Sequence, residues 1–230
     1  METSIVKISY TGKTKDGRVF DTSDESTAKE NGIYDEKMRY GDLPVVAGSG
    51  NLLKGIENII GEMKAGETRT LEIPPEDAYG ERDPKLVRLV PMKLFKKQKI
   101  NPYPGMVVDL DGRQARVLSV SSGRVQVDFN AEMAGKSVIY DVTLAGRAET
   151  DDEKISYLIE KNFGSPGDLD FEIIEQGADD KKERIVKFSV PRQTYTERNY
   201  MVKKPSLVIE LSKYAGFKKS IFEEEWEFDL

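Results

Sequence analysis

Apolar and polar positions alternate from the start of the chain. In SIVKISY, Ile5, Lys7 and Ser9 fall on one side and Val6, Ile8 and Tyr10 on the other. A period of two predicts a half-buried strand. KDGRVFD adds an Asp16-Gly17 turn and a returning strand that ends at Phe20-Asp21, the signature of a hairpin. Residues 22–42 are polar and irregular and read as a surface excursion. PVVAGSG reads as a short strand and a glycine turn. In NLLKGIENIIGEM the pattern changes: Leu52, Leu53, Ile56, Ile59, Ile60 and Met63 recur at helical spacing. Asn51 is the expected N-cap and Gly66 the expected stop. TRTLEI returns to strand. A sheet with one short amphipathic helix against it is α+β.

The pattern continues through two further stretches. From Pro84, VPMKLFKKQK reads as a short basic amphipathic helix. GMVVDLDGRQARVLSVSSGRVQVDF then reads as three strands joined at Asp111-Gly112 and Ser122-Gly123. KSVIYDVTLAGRAE is again a strand, and its Tyr140, Val142 and Leu144 are expected to complete the first sheet. Beyond Asp151, DDEKISYLIEKNFG predicts a helix carrying Ile155, Leu158 and Ile159, stopped by Gly164. LDFEII and ERIVKFSV predict strands. KPSLVIELSKYAG predicts a helix with Pro205 near its first turn and Gly216 at its end. FKKSIFEEEWEFDL alternates, with Phe222, Trp226 and Phe228 on one side.

Charge sharpens these divisions. Residues 84–130 hold nine basic side chains against three acidic, a balance of +6, whereas the whole chain of 230 residues carries −6. The reversal marks 84–130 as a module of its own. Its Lys93, Lys96, Lys97 and Lys99 read as a solvated helix face. With Phe95 the only aromatic among them, nucleic acid is not the expected partner. The chain contains no histidine and no cysteine. That removes disulfides, thiolate chemistry, the usual general base and the commonest transition-metal ligand, so no metal and no cofactor is expected. No run is long enough to cross a membrane as a helix, and the alternation at the N-terminus leaves no room for a signal peptide. A cytoplasmic location is the expectation.

Three stretches together resemble the FKBP-type peptidyl-prolyl cis/trans isomerases: VKISYTGKTKDGRVFDTS, VVAGSGNLLKGIENIIGEMKAGETRTLEIPPEDAYGERDP and MAGKSVIYDVTL. The basic module is spliced in after the Ala-Tyr-Gly turn. This is similar to the SlyD group and its longer archaeal relatives, in which an insert in the flap is a chaperone domain and the archaeal long type adds a C-terminal domain. The resemblance implies three parts: an isomerase domain over 1–83 and 131–150, an antiparallel half-barrel sheet wrapped on a short helix; an insert-in-flap domain over 84–130, small and β-rich; and a C-terminal α+β domain over 151–230.

The resemblance also assigns a site. It implies that Tyr10, Phe20, Asp21, Leu53, Ile56, Tyr79 and Tyr140 act on the proline and its amide, and that Leu43 and Leu52 line the same pocket. The Leu53 backbone N–H and the Tyr79 hydroxyl would each hold a substrate carbonyl. In the insert it implies client binding through exposed apolar residues: Leu86, Val87, Leu89, Val90, Met92, Leu94 and Phe95. On pattern alone Leu52, Leu53 and Ile56 are helix core, Tyr10 and Tyr140 are sheet packing, and Asp21 is a turn residue. This sequence departs from the family at Ala131, where insert-bearing relatives commonly have histidine. Ile56 stands where many relatives have tryptophan, and the metal-binding histidine tail is absent.

The expected substrates are unfolded or partly folded proline-containing polypeptides. The alternative is a holding chaperone with the same shell and little isomerase activity. Phe222, Trp226 and Phe228 suggest a homodimer through 151–230.

Overall fold

The structure, a computed structural model, describes residues 3–176 and 183–226. They form two compact units, one made of residues 1–71 with 139–230 and one of 72–138. The expected boundaries at 84, 131 and 151 do not coincide with this division.

The first unit opens with β1 (Ser4–Thr14) and β2 (Val19–Thr22). Their hairpin turns at Gly17, whose φ of 88° suits glycine and whose N–H bonds the Thr14 carbonyl at 2.9 Å. The excursion at 22–42 is not irregular throughout. It contains α1 (Glu25–Glu30), started by the Asp24 carboxylate, which accepts from the Thr27 N–H at 2.7 Å. Strand β3 (Leu43–Ala47) pairs antiparallel with the first half of β1, and β2 with its second half.

Helix α2 (Lys54–Ile60) is capped by Leu53, not by Asn51, and no side chain bonds its first turn. It ends at Gly61, short of Gly66, whose N–H instead bonds the Leu144 carbonyl at 2.7 Å. Strand β4 (Thr68–Ile73) closes the first stretch.

The second unit holds a four-stranded sheet in the order β5-β8-β7-β6, packed on one short helix. Its strands are β5 (Val87–Pro91), β6 (Val107–Leu110), β7 (Arg113–Ser121) and β8 (Arg124–Asp128), and its helix is α3 (Met92–Lys97). Asp111 and Gly112 both have positive φ, the requirement of a two-residue hairpin turn. Phe95 is 0% exposed and centres a core with Val108, Val117, Val125 and Val127. The expectation that Phe95 is an exposed client contact is therefore corrected. In a six-residue helix against a sheet, Met92 and Phe95 are three residues apart and share the inner face, leaving Leu94 outside. At the base of the insert the Asn130 amide bonds both the N–H and the carbonyl of Asp83.

Strand β9 (Val138–Arg147) lies between β1 and β4, giving the order β2-β1-β9-β4 with β3 on β1. Helix α4 (Asp151–Phe163) follows, started by a reciprocal cap between Thr150 and Glu153 and ended at Gly164. Then come β10 (Asp170–Gln176), β11 (Glu183–Val190), α5 (Arg192–Tyr195), α6 (Tyr200–Tyr214) and β12 (Lys219–Glu224). Strand β10 pairs antiparallel and β12 parallel with β11. Helix α6 begins five residues before Pro205, so the proline is inside the helix rather than in its first turn. Proline cannot bond the carbonyl four residues back. That residue is Met201, itself 76% exposed, where water can serve instead.

The C-terminal segment shares one core with the first sheet. Ile5 of β1 and Val46 of β3 are buried with Ile155, Leu158, Phe188, Leu207 and Phe217. This explains why β1 is buried on both sides over Ile5, Val6 and Ile8 rather than half-buried. Lys7, on the side expected to face water, pairs with Glu160 of α4 at 2.6 Å and lies over the Tyr157 ring. Arg39 pairs with the other oxygen of Glu160. Phe222 stacks on Phe188 at 4.8 Å and packs against this core. The Trp226 ring lies tilted against that of Tyr195 but remains 59% exposed. Phe228 lies outside the described residues.

Candidate active site

The hairpin β1–β2 sets three of the expected residues, Tyr10, Phe20 and Asp21, side by side. Register places Thr11 opposite Thr22 and Gly12 opposite Asp21, followed by a bulge before Lys13. The Thr22 and Ser23 side chains brace Tyr10: the Tyr10 N–H bonds Ser23 Oγ at 2.9 Å, and Thr22 Oγ1 donates to the Tyr10 carbonyl at 3.1 Å. Tyr140 enters from β9. Its ring centroid lies 5.9 Å from that of Tyr10, and 5.9 Å edge-on from that of Phe20. Its hydroxyl donates to Asp21 Oδ2 at 3.3 Å.

The result is one carboxylate edged by three aromatic rings. Burial pushes the Asp21 carboxyl up from its ordinary 3.8, and this outweighs the opposing hydrogen bonds from Tyr140, the Thr22 backbone and Tyr10. Outside this group, Lys13 pairs with Asp141 at 2.7 Å, and Thr70 bonds the same carboxylate, fastening β1, β9 and β4.

Leu43, at the start of β3, is half-buried and pairs with Ile8. Leu52 and Leu53 are half-buried at the entry of α2, and Ile56 is buried on its inner face. Arg147 of β9 donates to the Ile60 carbonyl at 2.8 Å, which ties the far end of α2 to the sheet. The Leu53 N–H has no hydrogen-bond partner among the described residues. Tyr79 belongs to the second unit, where it is half-buried after a single 3-10 turn at Pro75–Asp77.

The insert residues separate by face. Val90 and Met92 pack against the Phe95 core. Leu89 is 59% and Leu94 44% exposed. Leu86 and Val87 are half-buried, and the Leu86 carbonyl accepts from the Phe129 N–H. Among the described residues, no group of three or more Asp or Glu side chains is arranged to hold a metal ion.

Two residues of this neighbourhood are missing from the sequence reading. Gly12 carries the Tyr140 ring, and a glycine inside a strand is the signal that something approaches closely. Glu57 is an acid on the buried face of α2, among apolar residues, and that contrast was its signal.

The chain is 37% identical over 137 residues to the short-type peptidyl-prolyl cis-trans isomerase of Methanocaldococcus jannaschii, covering 60% of this chain and 87% of that protein. It is 34% identical to a probable FKBP-type 16 kDa peptidyl-prolyl cis-trans isomerase of Pseudomonas fluorescens, covering 42% of this chain and 67% of that one. The chain belongs to the FKBP-type peptidyl-prolyl cis-trans isomerases. Its enzyme class is accordingly isomerase. Within this FKBP-type chain, residues 88–133 match the family described as FKBP26, IF domain. An FKBP-type isomerase named SlyD from Aeromonas hydrophila is 31% identical over 153 residues, covering 65% of this chain and 66% of its own length. No helix among the described residues is long and apolar enough to cross a membrane.

Proposed function

We propose that the chain accelerates cis/trans isomerisation of X–Pro bonds by binding the twisted amide in an apolar pocket, and that the insert holds unfolded clients. The observation that carries the reading is the group of Tyr10, Phe20 and Tyr140 around Asp21. Rotation about an amide breaks no covalent bond. Its barrier, roughly 18–20 kcal/mol, comes from lost resonance. A catalyst needs only to bind the twisted form better than either planar form. The twisted amide is less dipolar than the planar one, so apolar walls favour it. No histidine, cysteine or metal is required, in keeping with a chain that has neither residue. Tyr10, Phe20, Tyr140, Leu43, Leu52 and Ile56 supply the walls in this reading, the Leu53 N–H holds a carbonyl, and Asp21 faces the amide. The test is a protease-coupled or NMR exchange assay on a short Ala-Pro peptide. Exchange no faster than in buffer overturns the isomerase reading.

Leu89 and Leu94 favour a second reading, that holding clients is the main role. An active insert-deleted chain that no longer speeds refolding of a proline-limited protein supports a division of labour. Equal losses on peptide and protein reject it. A salt-sensitive gel shift would instead make nucleic acid the insert's partner. Self-association through the C-terminal segment rests on exposed Trp226, since Phe222 is covered by its own core. Light scattering that shows twice 25.9 kDa supports it, and 25.9 kDa at micromolar concentration refutes it.

A further inference from the structure

Glu57 is 7% exposed on α2, beside the buried Ile56 and Ile60. Among the described residues it makes no ion pair. A carboxylate buried without a cation is costly unless its oxygens are hydrogen-bonded. Here both oxygens accept backbone N–H groups: one from Gly48, the other from Gly50 at 3.1 Å. Both glycines have φ of 80°, so the turn adopts a backbone that few other residues tolerate. Its other side is tied by Ser49 Oγ, which donates to the Val46 carbonyl at 2.7 Å. The segment between this turn and the helix is Asn51, Leu52 and Leu53. One side chain, rooted in the helix, therefore holds the turn that leads into the two leucines.

We infer that Glu57 is a positioning residue for the isomerase: its carboxylate fixes the turn at 48–50 and thereby the substrate-facing placement of Leu52 and Leu53. This rests on the proposed reading of those leucines. The clamp touches the wall of the pocket and not the aromatic group around Asp21. Loss of the clamp should therefore weaken binding of planar and twisted amide alike, which appears in KM with kcat preserved. A purely structural role would lower the melting temperature without that division.

The experiment compares the full-length wild type with Glu57→Gln on an Ala-Pro peptide, well below both melting temperatures. Glutamine keeps the shape but sets an NH2 group against one of the two N–H donors. The expected loss in kcat/KM is about tenfold, carried by KM, the size of one charged hydrogen bond lost. Amide exchange at Gly48 and Gly50 should accelerate together with it. Ile60→Ala, three residues further along the same helix and with no hydrogen bond to the turn, is the control for lost stability and should keep its kcat/KM. Should Glu57→Gln fail to fold, Glu57→Asp retains the charge with one methylene less reach and should show the same division at smaller amplitude. Wild-type kcat/KM in these variants, or an equal loss in Ile60→Ala, overturns the role of Glu57. An inactive wild type would instead overturn the proposed function itself.

Discussion

The Tyr140 ring occupies the space that a side chain at Gly12 would need: a Cβ there would lie 2.7 Å from Tyr140 Cζ and 3.0 Å from its hydroxyl. No rotation of an alanine methyl relieves this, so Gly12→Ala must move the ring. Overpacking of this kind costs about 1–3 kcal/mol. The displaced hydroxyl would also leave Asp21. The variant should therefore unfold at lower denaturant and lose peptide isomerase activity together. A variant with wild-type activity would show that the Tyr140 position is not needed for turnover.

The raised Asp21 carboxyl makes a signed prediction about stability. The folded state holds this proton more tightly than the unfolded chain, whose carboxyl titrates near 3.8. The stabilisation from the protonated form is fully present below 3.8 and is lost as pH rises through the folded value. Asp21→Asn removes the ionisation. Its stability relative to wild type should rise with pH across that interval and then level off. Denaturant titrations at a series of pH values measure it, and a difference that falls with pH would reverse the sign.

Phe95 and Leu89 should behave in opposite ways. Phe95→Ala opens a void in the small core of the insert and should cost about 3–5 kcal/mol there. Leu89→Ser removes an exposed side chain and should leave stability within about 0.5 kcal/mol. If the insert holds clients, Leu89→Ser should nonetheless slow assisted refolding of a proline-limited protein while sparing the Ala-Pro peptide. Unchanged refolding would remove Leu89 from the client surface.

Glu160 joins the C-terminal helix to β1 and to the 31–42 segment through Lys7 and Arg39. Glu160→Ala strands two cations. The expected loss is about 1–3 kcal/mol, less than for a fully buried pair because both cations keep partial exposure. Truncation after Thr150 goes further, since Ile5 and Val46 lose their cover. The shortened chain should melt earlier and bind a hydrophobic dye. An unchanged melting temperature would show the isomerase sheet to be self-sufficient.

These relationships differ in how far local sequence discloses them. The hairpin at Asp16-Gly17, the aromatic positions and the strands of the insert follow from period and turn chemistry, which act over a few residues. α1 hid in a polar stretch because its start depends on one carboxylate, Asp24, rather than on an apolar stripe. Leu53, not Asn51, caps α2, and the acid that holds the preceding turn, Glu57, comes from inside the helix, where a local cap pattern does not look for it. Pro205 misplaced the start of α6, because a proline penalty falls where the lost bond is solvent-exposed. The burial of Ile5 against α4 depends on residues some 150 positions later, and no local pattern contains it.

Strand β1 pairs nearby with β2 and β3, yet its Lys13 reaches Asp141 across 128 positions, and its Ile5 shares a core with Phe217. On the ribosome, at about 5–20 residues per second, such a strand waits many seconds for its last neighbours. Until β9 and α4 emerge, one edge and one face of β1 stand open. Strand β1 is thus among the last parts of this enzyme to be finished, and while it waits it presents the same unpaired, apolar chain that folding assistants are built to meet.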